Sequence, residues 1–245
     1  MLCRLIKRWF FDANKISVVV ANFNNSKFVR DCIDSILGQT YSHFEIIFVD
    51  DQSTDDSLKI IKSYKDRRIR LIALNKNVGV SAVRNIGIRS SSGKYLTTLD
   101  SDDVFISKYK LEEELALIKA YERKGESIVA FSNIVRIDES GELGGRLQGG
   151  EIEEGRIFEK MLQRSIFIPR DFLCKREIYF DAGLYDESIK IYEDWDIKLR
   201  IAQKYEYYFT GNDGVGYRDR EGGLSKAPPD EHIKWKNVVA GKNKG

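Results

Sequence analysis

Carboxylates gather in three places along the 245-residue chain, each with a spacing that could do chemistry. Asp50-Asp51 follows the apolar run FEIIFV, LDSDD puts Asp100, Asp102 and Asp103 behind KYLTTL, and YEDWD holds Glu193, Asp194 and Asp196. Three acids within four residues at the end of a hydrophobic run repel one another, and a positive charge must offset them if they are packed. A divalent cation does so with hard oxygen ligands, which suits Mg2+ or Mn2+ and allows a bridge to phosphate oxygens. A solvated acidic turn is the competing reading. Asp50-Asp51, followed by Ser53, Thr54 and Asp55, fits either a strand-end acceptor for hydroxyls or ordinary turn and helix-cap chemistry. Glu193, Asp194 and Asp196 fit equally the first turn of a helix, where negative charge meets the helix dipole.

Arg84, Arg218 and Arg220 offer guanidinium forks that match phosphate oxygens, although an arginine is more often a solvated surface residue. His43 and His232 have no Ser or Cys partner pattern, so a nucleophilic triad is not expected. Cys3, Cys32 and Cys174 lack CxxC spacing, which leaves neither a thiolate zinc site nor a disulfide framework and fits a reducing cytoplasm.

The elements that must carry these residues alternate short apolar runs with amphipathic segments, the pattern of βαβ units in a parallel sheet. KISVVVA, FEIIFV, RIRLIAL and KYLTTL read as strands, and two of these four end in carboxylates. Between them lie a helix starting at Ser26, a helix in QSTDDSLKIIKSY, and a helix in VSAVRNIGIRSSSG closed by Gly93. In open α/β sheets the ligand lies beyond the carboxyl ends of the strands, so acids there face a site. The first strand is followed by ANFNNSKF without GxGxxG, which disfavours NAD or FAD. Further on come a charged helix over 107–123, a strand SIVAFSNIVRI, and a Gly/Glu-rich loop or hairpin over 138–155. A short strand or two in IFIPRDFLC, a helix ended by Gly183, a helix in WDIKLRIAQKY, two late strands in EYYFTG and GVGYRDR, and a C-terminal helix complete the expectation.

With 40 Lys+Arg against 38 Asp+Glu, the net charge of +2 gives no electrostatic footprint for nucleic acid. A hydrophobic content of 42% is ample for a folded core. No apolar run approaches the length of a membrane span. The local exception is MLCRLIKRWFFDANK, where Leu2, Leu5, Ile6, Trp9 and Phe10 share one helical face and Arg4, Lys7 and Arg8 another. Residues 1–11 therefore suit an anionic membrane surface, or docking on protein.

Taken in order, the segments resemble family 2 glycosyltransferases, inverting enzymes of the GT-A fold. ISVVVANFNNSKFVRDCIDSILGQTYSHFEIIFVDDQSTDDS is similar to that family's opening block, with Gln52 where Gly is usual, and KNVGVSAVRNIGIRSSSGKYLTTLDSDD to its nucleotide and metal block. GLYDESIKIYEDWDIKLRIA resembles the acceptor and base block, and YRDREGGLS the closing loop. Four blocks in this order are far more specific than any one.

The resemblance implies a single-domain α/β GT-A fold: a Rossmann-like nucleotide-binding half with a central, mainly parallel sheet over 15–103 and a mixed acceptor half over 104–225. The basic amphipathic helix at 1–14 and a tail or helix at 226–245 would flank it. It implies Phe23, Asp50, Asp51, Arg84 and Asp100 around the nucleotide-sugar, Asp102 with Asp100 on Mn2+ or Mg2+, Asp194 as general base, and Arg218 or Arg220 on the departing diphosphate. Arg220 stands where many relatives have His. The expected reaction is metal-dependent transfer from a nucleotide-diphosphate sugar, UDP-linked first of all, to the hydroxyl of a saccharide or lipid-linked acceptor, with inversion. The Gln-x-x-Arg-Trp motif of processive members is absent, so one sugar per encounter is expected, in polysaccharide or glycolipid assembly. The setting implied is the cytoplasm or the inner face of the cell membrane. Two other readings stand beside it: a haloacid-dehalogenase-type phosphatase using Asp100 and Asp102, and an inactive nucleotide-sugar-binding module.

Overall fold

The structure, a computed structural model, describes residues 14–147, 152–220 and 227–244. The expected N-terminal helix and residues 221–226 of the closing loop lie outside these.

The β-branched run after Lys15 becomes β1 (Ile16–Asn22), buried at every position. A strand covered on both faces needs no alternation of polar residues, which is why the run is continuously apolar from Val18 to Ala21. Each fully buried Val or Ile in it contributes about 1.5–3 kcal/mol relative to exposure. β2 (Phe44–Asp50), β3 (Ile69–Ala73) and β4 (Tyr95–Asp100) join it in parallel, in the order β3-β2-β1-β4. The register pairs Asn22 with Asp50 on one side of β1 and Ala21 with Asp100 on the other. The two strand-end acids therefore stand at nearly the same height across the central strand.

Helices α1 (Val29–Leu37), α2 (Ser57–Ser63) and α3 (Val80–Ser90) make the crossovers. α1 starts later than Ser26: the Ser26 N–H donates to Asp55 Oδ2 at 2.7 Å, while the Asn25 carbonyl accepts the N–H groups of Phe28 and Val29. The loop after β1 is thus tied to the loop after β2 before the helix begins. α3 packs hard on β1, since a Cβ at Gly87 would stand 2.3 Å from Val19 Cγ1.

The second half extends the same sheet. After β5 (Val104–Phe105) and α4 (Lys110–Glu122) come β6 (Ile128–Ile137) and β7 (Leu143–Arg146), which pair antiparallel as the hairpin reading of 138–155 expected. α5 (Phe158–Leu162) leads to β8 (Leu173–Lys175), which inserts between β4 and β6 and runs antiparallel to both. α6 (Arg176–Asp181) and α7 (Glu193–Ala202) precede β9 (Glu206–Arg218), and α8 (Pro229–Lys242) is the expected C-terminal helix. The order β3-β2-β1-β4-β8-β6-β9-β5 makes one nine-stranded sheet with β7 beside β6. The two late strands of the sequence reading are one: β9 continues through Gly211-Asn212-Asp213 alongside β6, with register shifts around Asn133 taking up the turn residues.

A buried ion pair anchors the join of the halves. Lys110 Nζ donates to Glu114 Oε2 at 2.7 Å and to the Asp171 carbonyl at 2.8 Å, and Glu114 also accepts from Ser132 Oγ. The segment entering β8 is held there by charge-assisted bonds in a dry interior.

Candidate active site

The carboxyl ends of the parallel strands carry the site, and Asp50 is the deepest part of it. Its side chain is fully buried, accepting from Asn22 Nδ2 at 2.6 Å, the Ser53 N–H at 2.9 Å and Ser53 Oγ at 2.6 Å. Asp51 accepts the N–H groups of Val78 and Gly79 at 2.7 and 2.9 Å, one on each oxygen, and so fixes the entry to α3. Gly79 has φ of 87°, a backbone state glycine adopts without strain. Both competing readings of this pair thus have substance: the acids organise turns, and they do so at the ligand-facing sheet end. Phe23, the first residue after β1, is 46% exposed at the rim.

Across β1, Asp100 accepts Arg84 Nη2 on Oδ1 at 2.7 Å and lies 3.0 Å from Arg170 Nη2 through Oδ2. Burial works to raise its pKa, but Arg170 and Arg84 hold the carboxyl below the usual range. Asp103 is buried, with Oδ1 on the Arg218 N–H at 2.8 Å and Oδ2 on Arg170. Burial pushes its carboxyl well up against the pull of Arg170, with the Asp102 and Asp100 charges adding to the rise. Asp102 is partly buried and meets Arg220, whose Nε donates to Oδ2 at 2.5 Å.

The donor set fits a hard divalent cation. Asp100, Asp102 and Asp103 each offer a carboxylate oxygen, all within 4.8 Å of one another. Arginines already take both oxygens of Asp100, and Asp103 is turned to Arg170 and a backbone N–H; Asp102 gives only Oδ2 to Arg220, so its Oδ1 is the oxygen best placed to meet an ion. Carboxylate oxygen is the ligand Mg2+ and Mn2+ take.

Arg84 joins this cluster to the last acidic motif. It is 1% exposed, and its Nη1 donates to Glu193 Oε1 at 2.6 Å while Nη2 holds Asp100. Burial pushes the Glu193 carboxyl up, opposed by Arg84. Its neighbour Asp194 opens into a cleft of about 500 Å³ that also touches Tyr192, Trp195 and Lys198. Lys198, one helical turn along α7, donates to Asp194 Oδ2 at 2.8 Å and to the Ile168 carbonyl at 2.7 Å. Burial raises the Asp194 carboxyl, yet the Lys198 charge and hydrogen bond outweigh it and leave the pKa at about 2. Asp194 is therefore held in its ionised form beside the cleft.

The two late arginines part company. Arg218 is 3% exposed and wholly committed to protein: Nε donates to the Asp102 carbonyl at 2.8 Å, Nη1 to the carbonyls of Asp138 and Glu139, and Nη2 to Asp31, with the Phe28 ring 4.7 Å away. It clamps the end of β9 to the loop after β4. Arg220 stays half-buried on the Asp102 carboxylate.

Two residues of the site have no counterpart in the sequence reading. Lys198 lies four residues after Asp194 on one helix, a spacing that by itself signals an ion pair. Arg170 follows Pro169 in a loop and carries no such signal; only the insertion of β8 beside β4 brings it to Asp100 and Asp103.

A mainly parallel sheet with acids at its carboxyl ends, continued by a mixed half, is the architecture of GT-A glycosyltransferases. The chain superimposes on the crystal structure of Staphylococcus aureus TarS 1-349 in complex with UDP-GlcNAc with a TM-score of 0.72 at 20% identity, over 92% of this chain and 65% of that one. The same protein in complex with UDP gives 0.70 at 18% identity, over 94% of this chain and 65% of that one. At that identity the likeness establishes the fold.

The chain belongs to glycosyl transferase family 2, whose model matches residues 17–187. It is 36% identical over 239 residues to Glycosyltransferase GlyG of Streptococcus pneumoniae serotype 4, covering 90% of this chain and 75% of that protein. It is 33% identical over 191 residues to an uncharacterized glycosyltransferase of Rickettsia bellii, covering 78% of this chain and 26% of that one. Against three Rickettsia relatives the chain spans 26% to 32% of their length. Family membership and the tie of both Asp100 oxygens to arginines remove the phosphatase reading, which needs an unengaged nucleophilic carboxylate there. Among the described residues no helix is long and apolar enough to cross a membrane.

Proposed function

We propose that this chain transfers one sugar at a time from a nucleoside-diphosphate sugar, a UDP-sugar first of all, to an acceptor hydroxyl by single displacement with inversion, aided by Mn2+ or Mg2+. The observation that carries the reading is the Arg84 bridge, which sets the Asp100–Asp103 cluster and the Glu193-Asp194 pair side by side. A leaving diphosphate and a deprotonated acceptor are needed at one carbon, and these two carboxylate groups suit those two needs. TarS structures holding UDP-GlcNAc and UDP add support for the donor class.

In the mechanism, Asp194 accepts the proton of the acceptor hydroxyl as its oxygen attacks the anomeric carbon and the bond to the diphosphate breaks. Lys198 keeps Asp194 ionised and oriented before the acceptor arrives. Asp51 and Phe23 frame the end of the sheet where the base and ribose would rest, with Asp50 shaping that turn from beneath. Arg84 acts through Asp100 and Glu193 by holding both in register. Asp102, with Asp100 behind it, would hold the divalent ion, which when bound offsets charge on the diphosphate. Arg220 is the guanidinium best placed to meet the departing phosphate oxygens, with Arg218 keeping its strand in place.

We assign residues 15–103 to donor binding and 104–225 to the acceptor, with 1–14 and 226–245 as flanks. A role in polysaccharide or glycolipid assembly at the inner face of the cell membrane, on a saccharide or lipid-linked acceptor, follows from the family resemblance and the basic apolar N-terminal segment. Calorimetry with UDP in the presence and absence of Mn2+ tests the donor reading. Metal-dependent binding supports it; no binding in either condition removes it. Binding without transfer from any of a panel of nucleotide-sugars would leave an inactive binding module.

A further inference from the structure

Resting on the transferase reading, we propose that the acceptor carries an oxyanion, a phosphate or a carboxylate, and that Arg164 reads it in the cleft beside Asp194.

Arg164 follows α5 and lines the same cleft as Asp194, Tyr192 and Trp195. Its backbone has φ of 58°, the left-handed region that costs a non-glycine residue energy and persists only where the surroundings hold it. The Met161 carbonyl accepts the Arg164 N–H at 3.1 Å and Trp195 Nε1 at 2.9 Å, so one peptide group locks the arginine and the indole of α7 together. The guanidinium carbon lies 4.7 Å from the Tyr192 ring centre and 4.9 Å from that of Trp195. Tyr192 is itself left-handed, with φ of 70°, and its hydroxyl pairs with His232 of α8 at 2.9 Å.

Of the two cations that line the cleft among the described residues, Lys198 has an anionic partner and the solvent-exposed Arg164 has none. Arg84, Arg170 and Arg220 are each on carboxylates, and Lys198 is on Asp194. The remaining acid of the lining, Glu153, is on Lys160. Among the described residues no carboxylate or carbonyl partners the Arg164 guanidinium. Stacking uses the face of a guanidinium and leaves its N–H edge, the edge that pairs with two oxygens of a carboxylate or phosphate. Lys236, 5.8 Å from the same Tyr192 ring, adds positive potential without closing the site. A neutral saccharide would find its stacking surface in Tyr192 and Trp195 alone; the ring-stacked Arg164 cation, which meets no carboxylate among the described residues, selects an acidic one. The ligand class is thus a sugar or polyol bearing a negative group near the hydroxyl that meets Asp194.

The test compares methyl glucoside, methyl glucuronide and a phosphorylated methyl glucoside for binding to the full chain by saturation-transfer NMR, each in the wild type and in Arg164→Ala and Arg164→Lys. The two charged probes separate a carboxylate from a phosphate as the source of the oxyanion. At least one charged probe is expected to bind about tenfold more tightly than the glucoside, a step the size of one charge-assisted pair. Arg164→Ala should reduce that ratio to near one while glucoside binding persists, and Arg164→Lys should keep part of it. Equal binding of all three probes, binding of none, or an undiminished ratio in Arg164→Ala overturns the proposal. UDP affinity measured on the same samples separates the two readings. Loss of UDP binding in the wild type would sink the transferase assignment, whereas a flat probe ratio with UDP bound would sink only the oxyanion subsite.

Discussion

The guanidinium of Arg84 lies 2.6 Å from the carboxylate of Glu193, with side-chain exposures of 2% and 8%. These residues are 109 positions apart, one on α3 and one at the start of α7, and the other end of the same guanidinium holds Asp100. A buried pair of this kind need not add net stability, but breaking it leaves an uncompensated charge. Arg84→Met is expected to lower the unfolding free energy by about 3–5 kcal/mol. Denaturant titration checks this, and an unshifted midpoint would show that Glu193 finds another partner or simply takes up a proton.

Asp194→Asn is expected to keep UDP affinity within about twofold and to lower transfer by about a hundredfold or more, the range of a lost general base. Initial rates with the donor and acceptor found by screening provide the readout. Retained transfer would remove Asp194 as the base.

The pH behaviour of the same residue has a definite sign. Its folded pKa is depressed to about 2, so the ionised form is favoured by folding. That contribution is present above the unfolded value and is lost only as pH falls toward about 2. An acid limb in the transfer rate near neutral pH is therefore not expected from Asp194. Lys198→Met removes the charge that outweighs burial, so the carboxyl should rise and an acid limb should move up into the measurable range. A rate profile identical to the wild type would contradict the Lys198 assignment.

Arg218 and Arg220 should separate cleanly when replaced. Arg218→Ala removes bonds to the carbonyls of Asp102, Asp138 and Glu139, with an expected loss of about 2–3 kcal/mol in stability. Arg220→Ala, half-buried on a single carboxylate, should leave the melting temperature almost unchanged and weaken catalysis instead. Thermal melts and transfer rates measured side by side decide it; a larger melting shift for Arg220→Ala would reverse the assignment.

Divalent ions should matter through Asp102. Chelation is expected to abolish the thermal shift given by UDP, and Asp102→Asn to weaken metal-dependent UDP binding by about tenfold or more, since one ligand to a hard cation is neutralised. Undiminished UDP binding after chelation would argue that Arg170 and Arg220 alone supply the positive charge.

Much of the architecture was legible from residue pattern. Continuous β-branched runs, helical periodicity and turn residues are local signals, and they located β1 to β4, α2, α3 and the C-terminal helix. Two of the misses were local conflicts settled at a distance: α1 starts at Val29 where Asp55 engages the Ser26 N–H, and β9 runs unbroken because β6 lies beside it.

The site divides in the same way. Residue type and spacing singled out Asp50-Asp51, Asp100–Asp103 and Glu193-Asp194 as candidates, because clustered charges announce themselves in a linear chain. They did not say which arginine serves which acid. Arg220 meets Asp102 across 118 positions, and Arg170 reaches Asp103 across 67. Arg84 and Arg218, both legible as phosphate ligands, turn inward to hold the framework. Such pairings depend on strand order and on the insertion of β8 between β4 and β6, and no periodicity of sequence encodes a contact made by two segments that fold back from opposite halves of the chain.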